Sequence, residues 1–464
     1  MTEMIIDNPF FSLIIWADRT NTMYFRDTLA SIAEQDFPSY EVIIMDQNPY
    51  GEIGRISGEF FPESGRLNYR QLKKSEGRAY ALNVGLHFAR GDYFMIIGQH
   101  DRISPDTLSK YKEIIDEGKK QIKRAWDGTI TETSTEPEVL YCDMDEIRGD
   151  DRVNPHFKGG FNKWLLMQDN YIGEFICLKK TLCRRVGFFR EGLNDADIYE
   201  YLLRCVMENA VFYHVPLLLF HRRMMEVNDM AVLKKLLRDS YENHVKVAKA
   251  FLIKNNIDGD IVPDGQCRYW KIRLNGDDPE KHKREYMLLK SRQVRVLTGQ
   301  SKKIMYAYLS QPDVGIVGVC FRGPGMNIDN CGYIYDTDGI IYPACYGKPL
   351  FSDGYENRII LTQEVSMVDF SYCMIDANVY QHLKGFRPEF TERDAILDYC
   401  LRVRQSGYKI LYVSDVVARN AEKNNDSSYI SNGALRERWG ELLSMGDPYY
   451  NINLPMGIEN YQLY

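Results

Sequence analysis

Hydrophobic and polar positions in the N-terminal part of the chain follow two alternating periods. Phe10-Phe11-Ser12-Leu13-Ile14-Ile15-Trp16 is a short apolar, β-branched run of buried-strand type. From Phe25 through Gln35 the apolar residues Leu29, Ile32 and Ala33 recur at helical spacing. Glu41-Val42-Ile43-Ile44-Met45 predicts a second strand, ended by the loop signal Asp46-Gln47-Asn48-Pro49. A helix is expected from Ala79 to Ala89, stopped by Arg90-Gly91-Asp92. A third buried strand, Tyr93-Phe94-Met95-Ile96-Ile97, then ends in Gly98-Gln99-His100-Asp101. Strands alternating with helices predict an α/β fold with an open, mostly parallel sheet covered on both faces. Ligands of such sheets bind at the carboxyl ends of the strands. Trp16 to Arg19, Asp46 to Asn48 and Gly98 to Asp101 are therefore expected around one crevice.

The pattern also repeats. Gly187 and Gly385, Ile198 and Ile396, Glu200 and Asp398, and Arg204 and Arg402 are all separated by 198 residues. A weaker echo pairs Gly91-Asp92-Tyr93-Phe94-Met95-Ile96-Ile97 with Arg284-Glu285-Tyr286-Met287-Leu288-Leu289. Unequal intervals indicate an old duplication and not a solenoid. The second copy has no counterpart of the opening strands and begins near the third. Between the copies, from about Met225 to Arg284, the chain is rich in Lys, Asp and Asn and reads as helix, short strand and polar loop with a solvated charge run.

Composition narrows the picture. With 464 residues, more than one domain is expected, and 44% hydrophobic with 27% charged residues excludes a disordered or fibrous chain. A net charge of −7 gives no electrostatic footprint for nucleic acid. No apolar run is long enough for a transmembrane segment, and no secretory signal is visible. The ten cysteines are scattered singly, as expected of reduced thiols in a cytoplasmic protein. The 32 tyrosines read either as core side chains or as stacking platforms for rings.

Three groups of segments carry a family resemblance. Phe11-Ser12-Leu13-Ile14-Ile15, Ser31-Ile32-Ala33-Glu34-Gln35-Asp36-Phe37 with Tyr40 to Asp46, and Gly77-Arg78-Ala79-Tyr80-Ala81-Leu82-Asn83-Val84-Gly85-Leu86 with Ala89 to Tyr93 form the first. Tyr141-Cys142-Asp143-Met144-Asp145, Pro155 to Lys158 and Asn170-Tyr171-Ile172-Gly173 form the second. Pro312 to Gly318, Arg438-Trp439 and Gly446 to Leu454 form the third. Together they resemble the family-2 glycosyltransferases of GT-A fold, in a tandem-domain polysaccharide-biosynthesis subgroup. The implied organisation is a GT-A domain over residues 1–225, a helical and polar linker over 226–284, and a truncated, degenerate GT-A-like accessory domain over 285–464. The second domain is left for packing, acceptor binding or a homodimer contact. Peripheral membrane association remains open.

Transfer from a nucleotide-sugar donor to a glycan acceptor needs charge for the diphosphate, a general base and a shaped crevice. In the family the metal is held by a D-x-D-type cluster after the third strand. Gly98-Gln99-His100-Asp101 stands there, so His100, Asp101 and His221 are the implied ligands of a divalent metal, Mn²⁺ or Mg²⁺, with a metal-free polar crevice as the alternative. The family's base falls on Ile198, which accepts no proton; a register shift brings Asp197 into service, with Glu200 beside it. Alternatively Glu200 and Arg204 form a helix-face ion pair. Trp16, Asp46, Gln47, Arg78, Asn83 and Gln99 are the implied nucleotide contacts. In the second copy the corresponding positions are Lys290-Ser291-Arg292-Gln293, Ile396 and Asn420, which do not suit a donor. The expectation is an inverting glycosyltransferase building a surface or capsular glycan. A non-catalytic relative that binds a glycan or a partner enzyme is the alternative.

Overall fold

The computed structural model describes residues 8–62, 65–73, 76–118, 122–124, 130–132, 136–224, 229–276, 284–420, 429–430, 433–457 and 460–461. Residues 225–228 and 277–283 of the expected polar run lie outside them. The chain divides into two compact units, residues 1–123, 132–158 and 172–248 in one and residues 124–131, 159–171 and 249–464 in the other.

The first unit opens with β1 (Phe11–Ala17), α1 (Thr22–Ala33), β2 (Tyr40–Asp46), α2 (Glu52–Phe60), β3 (Leu67–Gln71), α3 (Arg78–Phe88), β4 (Tyr93–Gly98), β5 (Arg102–Ile103) and α4 (Thr107–Gly118). Two short strands, β6 (Ile122–Arg124) and β7 (Ile130–Glu132), which fall partly in the second unit, precede β8 (Val139–Arg148) and β9 (Asp151–His156). After α5 (Lys163–Leu166), which belongs to the second unit, come β10 (Cys177–Lys179), α6 (Lys180–Val186), α7 (Asp197–Met207), β11 (Phe212–Arg223) and the long α8 (Met230–Lys254). Nine strands form one sheet in the order β3-β2-β1-β4-β10-β8-β11-β5, with β9 on β8. β1 to β4 are parallel neighbours. β10 runs antiparallel between β4 and β8, and β11 lies parallel to β8.

The three expected strands are β1, β2 and β4, and pattern reading missed α2 and β3. β3 reads Leu-Asn-Tyr-Arg-Gln, is half-buried to exposed and lies at the sheet edge, where little apolar surface is needed. The core forms on the Leu13, Ile15, Val42, Ile44, Met95 and Ile97 face, where α1 contributes Phe25, Leu29 and Ile32. Each such side chain stabilises by about 1.5–3 kcal/mol when removed from water. On the other face α3 lies so close that a Cβ on Gly85 would sit 2.7 Å from Ile14 Cγ2, so only glycine fits there. Ten of the twelve largest fully buried side chains are tyrosines, which answers the composition question for those residues in favour of core packing. None of the described helices is long and apolar enough to cross a membrane.

The second unit begins with the hairpin β12 (Gly259–Pro263) and β13 (Trp270–Leu274). Then follow β14 (Tyr286–Lys290), β15 (Val294–Val296), α9 (Ser301–Leu309), β16 (Val314–Arg322), β17 (Ile328–Asn330), β18 (Tyr333–Tyr335), β19 (Ile340–Pro343), β20 (Gln363–Glu364), β21 (Tyr372–Asp376), α10 (Ala377–His382), α11 (Glu392–Gln405) and β22 (Lys409–Asn420). Its main sheet runs β14-β21-β16-β22-β15. That order repeats β4-β10-β8-β11-β5 of the first unit, with each pair in the same direction. Among the described residues no strands of this sheet correspond to β1, β2 and β3, so the duplication is visible in topology and its second copy is short.

The repeated residues do the same work twice. Arg204 pairs with Glu200 at 2.9 Å and donates to the carbonyls of Val186 and Phe188. Arg402 pairs with Asp398 at 2.7 Å and donates to the carbonyls of Leu383 and Gly385. Each guanidinium thus pins the loop entering its helix. The second pair is fully enclosed, with side chains 1% and 0% exposed, and Trp439 Nε1 adds a 3.0 Å bond to Asp398. Arg402→Met leaves the Asp398 charge buried without that partner and is expected to cost about 3–5 kcal/mol. Arg204→Met, at a more exposed pair, costs less; urea unfolding of the two variants checks the order.

Candidate active site

The carboxyl ends of β1, β2 and β4 lie side by side at one edge of the sheet, because parallel strands deliver their loops to the same edge. Trp16 lies between Met45 and Gly98 in the strand register. Its indole Nε1 donates to Gln47 Oε1 at 2.8 Å, so these two side chains fix each other. Asp46 is fully buried: one oxygen accepts from the Asn48 backbone and side chain, and the other from the Tyr69 hydroxyl at 2.7 Å. Burial and the Asp46 carboxylate together push the Tyr69 phenol well up. Gln99 binds the Asp18 backbone on both sides of its amide, which shapes the β1–α1 loop. Asn83, on α3, clamps the Phe189 backbone with bonds of 2.9 and 2.8 Å.

Arg78, at the start of α3, gathers the strongest electrostatic cluster. Its Nε donates to both Asp197 oxygens at 3.1 Å, Nη1 to Glu174 at 2.8 Å, and Nη2 to Asp197 and the Asp195 carbonyl. Asp197 opens α7, and its side chain is 1% exposed. Burial pushes its carboxyl up, while the adjacent guanidinium opposes that shift. Glu174 is 54% exposed and enters β10 antiparallel to β4, which carries it past the end of that strand. Asp101 lies nearby; burial and the negative charge of Glu174 raise its carboxyl to about 7, against the amide bond from Arg223. The structure therefore brings Arg78, Asp197 and Asp101 together and adds Glu174, which sequence reading missed. Its only signal is its place directly after Asn170-Tyr171-Ile172-Gly173. Glu200, three residues beyond Asp197, is instead held by Arg204 and by Arg190 at 2.7 Å.

Residues 22–167 match the model of Glycosyl transferase family 2. They include β2, β3, β4, α3 and the Arg78 position. Residues 22–167 are a Glycosyl transferase family 2 domain. A similar protein is the uncharacterized protein y4gI of Sinorhizobium fredii, 21% identical over 98% of this chain and 59% of that protein. This chain thus spans about three fifths of the length of that relative. The O-antigen biosynthesis protein RfbC of Myxococcus xanthus is 24% identical over 46% of this chain and 16% of its own length. Among solved structures, S. aureus TarS residues 1–349 with UDP-GlcNAc is 18% identical, covering 52% of this chain and 71% of that one, with a TM-score of 0.39.

Enzymes of family 2 often use a divalent metal, and the ligand set expected for one is not assembled here. His221 is buried, with Nδ1 2.8 Å from Asp145 and Nε2 3.0 Å from Ser104 Oγ, so both ring nitrogens are engaged. Asp145 is held below the usual carboxylate range: burial pushes it up, but His221 and Arg152 outweigh that. His100 Nε2 accepts the Asn21 backbone N–H at 3.0 Å. An amide can only donate, so the Nε2 lone pair is taken and the proton sits on Nδ1. Asp101 points back under β4, where its Oδ2 lies 2.0 Å from the place a Cβ on residue 98 would occupy; Gly98 is what admits it. Among the described residues there is no group of three His, Cys, Asp or Glu side chains able to hold a metal. The sequence expectation of a His100, Asp101, His221 site is corrected accordingly: both His221 nitrogens, the His100 Nε2 lone pair and Asp101 Oδ1 are engaged by the protein.

Two outcomes follow. Titrating the full chain with Mn²⁺ in a calorimeter is expected to show no saturable site at these residues, and His221→Ala to leave the titration unchanged. For Asp101, the raised folded value means the folded chain binds its proton more tightly than the unfolded one. Its contribution is complete below the ordinary value of 3.8 and is lost as pH rises through about 7. Asp101→Asn is therefore expected to flatten the fall in melting temperature between pH 4 and 7.

Proposed function

We propose that this protein is an inverting glycosyltransferase that moves a sugar from a nucleotide-sugar donor to a glycan acceptor. The observation that carries the reading is a half-exposed carboxylate, Glu174, held by Arg78 at the carboxyl end of β4 within a unit that contains a family 2 domain. Similarity to an O-antigen biosynthesis protein supports a surface polysaccharide as the acceptor class.

In this reading Glu174 is the general base. Its carboxylate takes the proton of the acceptor hydroxyl as the new oxygen–C1 bond forms, and the C1–oxygen bond to the diphosphate breaks on the opposite face. The nucleoside diphosphate leaves with the bonding pair. Asp197 does not serve as base, because both of its oxygens face Arg78; it positions that guanidinium, which in turn holds Glu174. Glu200 positions the loop before α7 through Arg204. The route needs no metal ligand from His100, Asp101 or His221. Asp46, Gln47, Trp16, Gln99 and Asn83 act at one remove, by setting the shape of the donor crevice. The second unit, whose sheet has no counterpart of β1 to β3 among the described residues, contributes acceptor binding or packing.

A non-catalytic role is the second reading, favoured by Ile198 at the family's base position. Two measurements separate them. At saturating concentration one of the UDP-, GDP- or dTDP-sugars is expected to raise the melting temperature of the full chain equally with Mn²⁺ and with a chelator. Glu174→Gln is expected to retain that shift while lowering turnover by about 10²–10⁴-fold. A donor shift with no turnover in the native chain selects the non-catalytic reading, and no shift with any donor overturns the glycosyltransferase reading.

A further inference from the structure

Helix α8 has two halves with different surroundings. From Tyr241 onward it buries Tyr241, Val245, Val247, Ala248, Phe251 and Leu252. Its first three turns bury none of their side chains, although they are rich in large apolar residues: Met230, Val232, Leu236 and Leu237 are 60, 47, 46 and 59% exposed. At 3.6 residues per turn these four and Leu233 occupy one face about 160° wide. Lys234, Lys235 and Arg238 fall on the other side, with Asp239 at its border. The turn is well started, because the Asp229 carboxylate accepts from the Ala231 N–H at 2.8 Å. Residues 230–240 carry three cations against one carboxylate, in a protein whose net charge is −7.

We propose that the N-terminal half of α8 lies on an anionic lipid bilayer, with Met230, Val232, Leu233, Leu236 and Leu237 entering the headgroup boundary, Lys234 and Lys235 reaching the lipid phosphates from the two edges of that face, and Arg238 adding positive charge on the polar side. The combination is what such a surface selects. An exposed leucine face costs free energy in water and gains it on entering the acyl boundary, and flanking cations add attraction to anionic headgroups. The sequence reading of this stretch as a solvated charge run accounts for the lysines but not for the five apolar residues between them. The inference does not rest on the catalytic reading of Glu174.

Co-sedimentation of the full chain with vesicles tests it. Vesicles of equal parts phosphatidylglycerol and phosphatidylcholine are expected to retain the protein, and pure phosphatidylcholine vesicles to retain far less. Raising salt weakens the first. K234Q/K235Q/R238Q is expected to lower partitioning on the order of a hundredfold. L236E/L237E abolishes it. Both variants change exposed positions, so unaltered far-UV circular dichroism and melting temperature show that they fold. Equal and weak retention on both vesicle types overturns the proposal. So does an L236E/L237E variant that changes the sedimentation coefficient from dimer to monomer while vesicle retention stays as in the native chain.

Discussion

One guanidinium organises the edge of the first unit where the carboxyl ends of its parallel strands meet. Arg78 joins the start of α3, the segment before β10 and the start of α7, whose contact residues lie 96 to 119 positions apart in sequence. Its side chain is 15% exposed and that of Asp197 only 1%. A nearly buried charge pair is retained where its geometry is good and its remaining valences are filled; here two carboxylates and a carbonyl do that. The arrangement leaves one carboxylate, Glu174, half in solvent. The rest of the edge is built so that this group keeps its position: Asn83 secures the Phe189 backbone ahead of α7, and Arg204 secures the carbonyls on either side of Gly187.

Much of the fold was legible because buried parallel strands must be continuously apolar. The runs from Phe10, Glu41 and Tyr93 announced β1, β2 and β4, and the repeated Gly, Ile and Arg spacing announced the second copy. β3 escaped because an edge strand of Leu-Asn-Tyr-Arg-Gln has no need of such a run. α2 escaped with it, a short helix whose buried residues are only Ile53, Ile56 and Ser57.

The site was legible in position and not in role. Motif spacing put Asp46 and Asp101 at strand ends, where the structure has them, since a strand end fixes where a loop begins; the structure adds the Arg78–Asp197 contact. Motif spacing could not say which atom each side chain would meet. His221 meets Asp145 and Ser104, His100 meets an amide, and Asp46 meets Tyr69; each partner comes from another strand or loop. Glu174 had no motif of its own. It becomes visible only when β10 is laid against β4.

The absent side chain at Gly98 has a consequence for how this sequence can change. Asp101 fills the space that a larger residue at 98 would claim. Restoring an acid at position 98 therefore means rotating Asp101 away and giving up its bond to the Arg223 amide. The two positions are mutationally coupled: any side chain at 98 requires Asp101 to move. A larger residue at 98 is accommodated without loss only when residue 101 changes with it, so the pair varies as a unit.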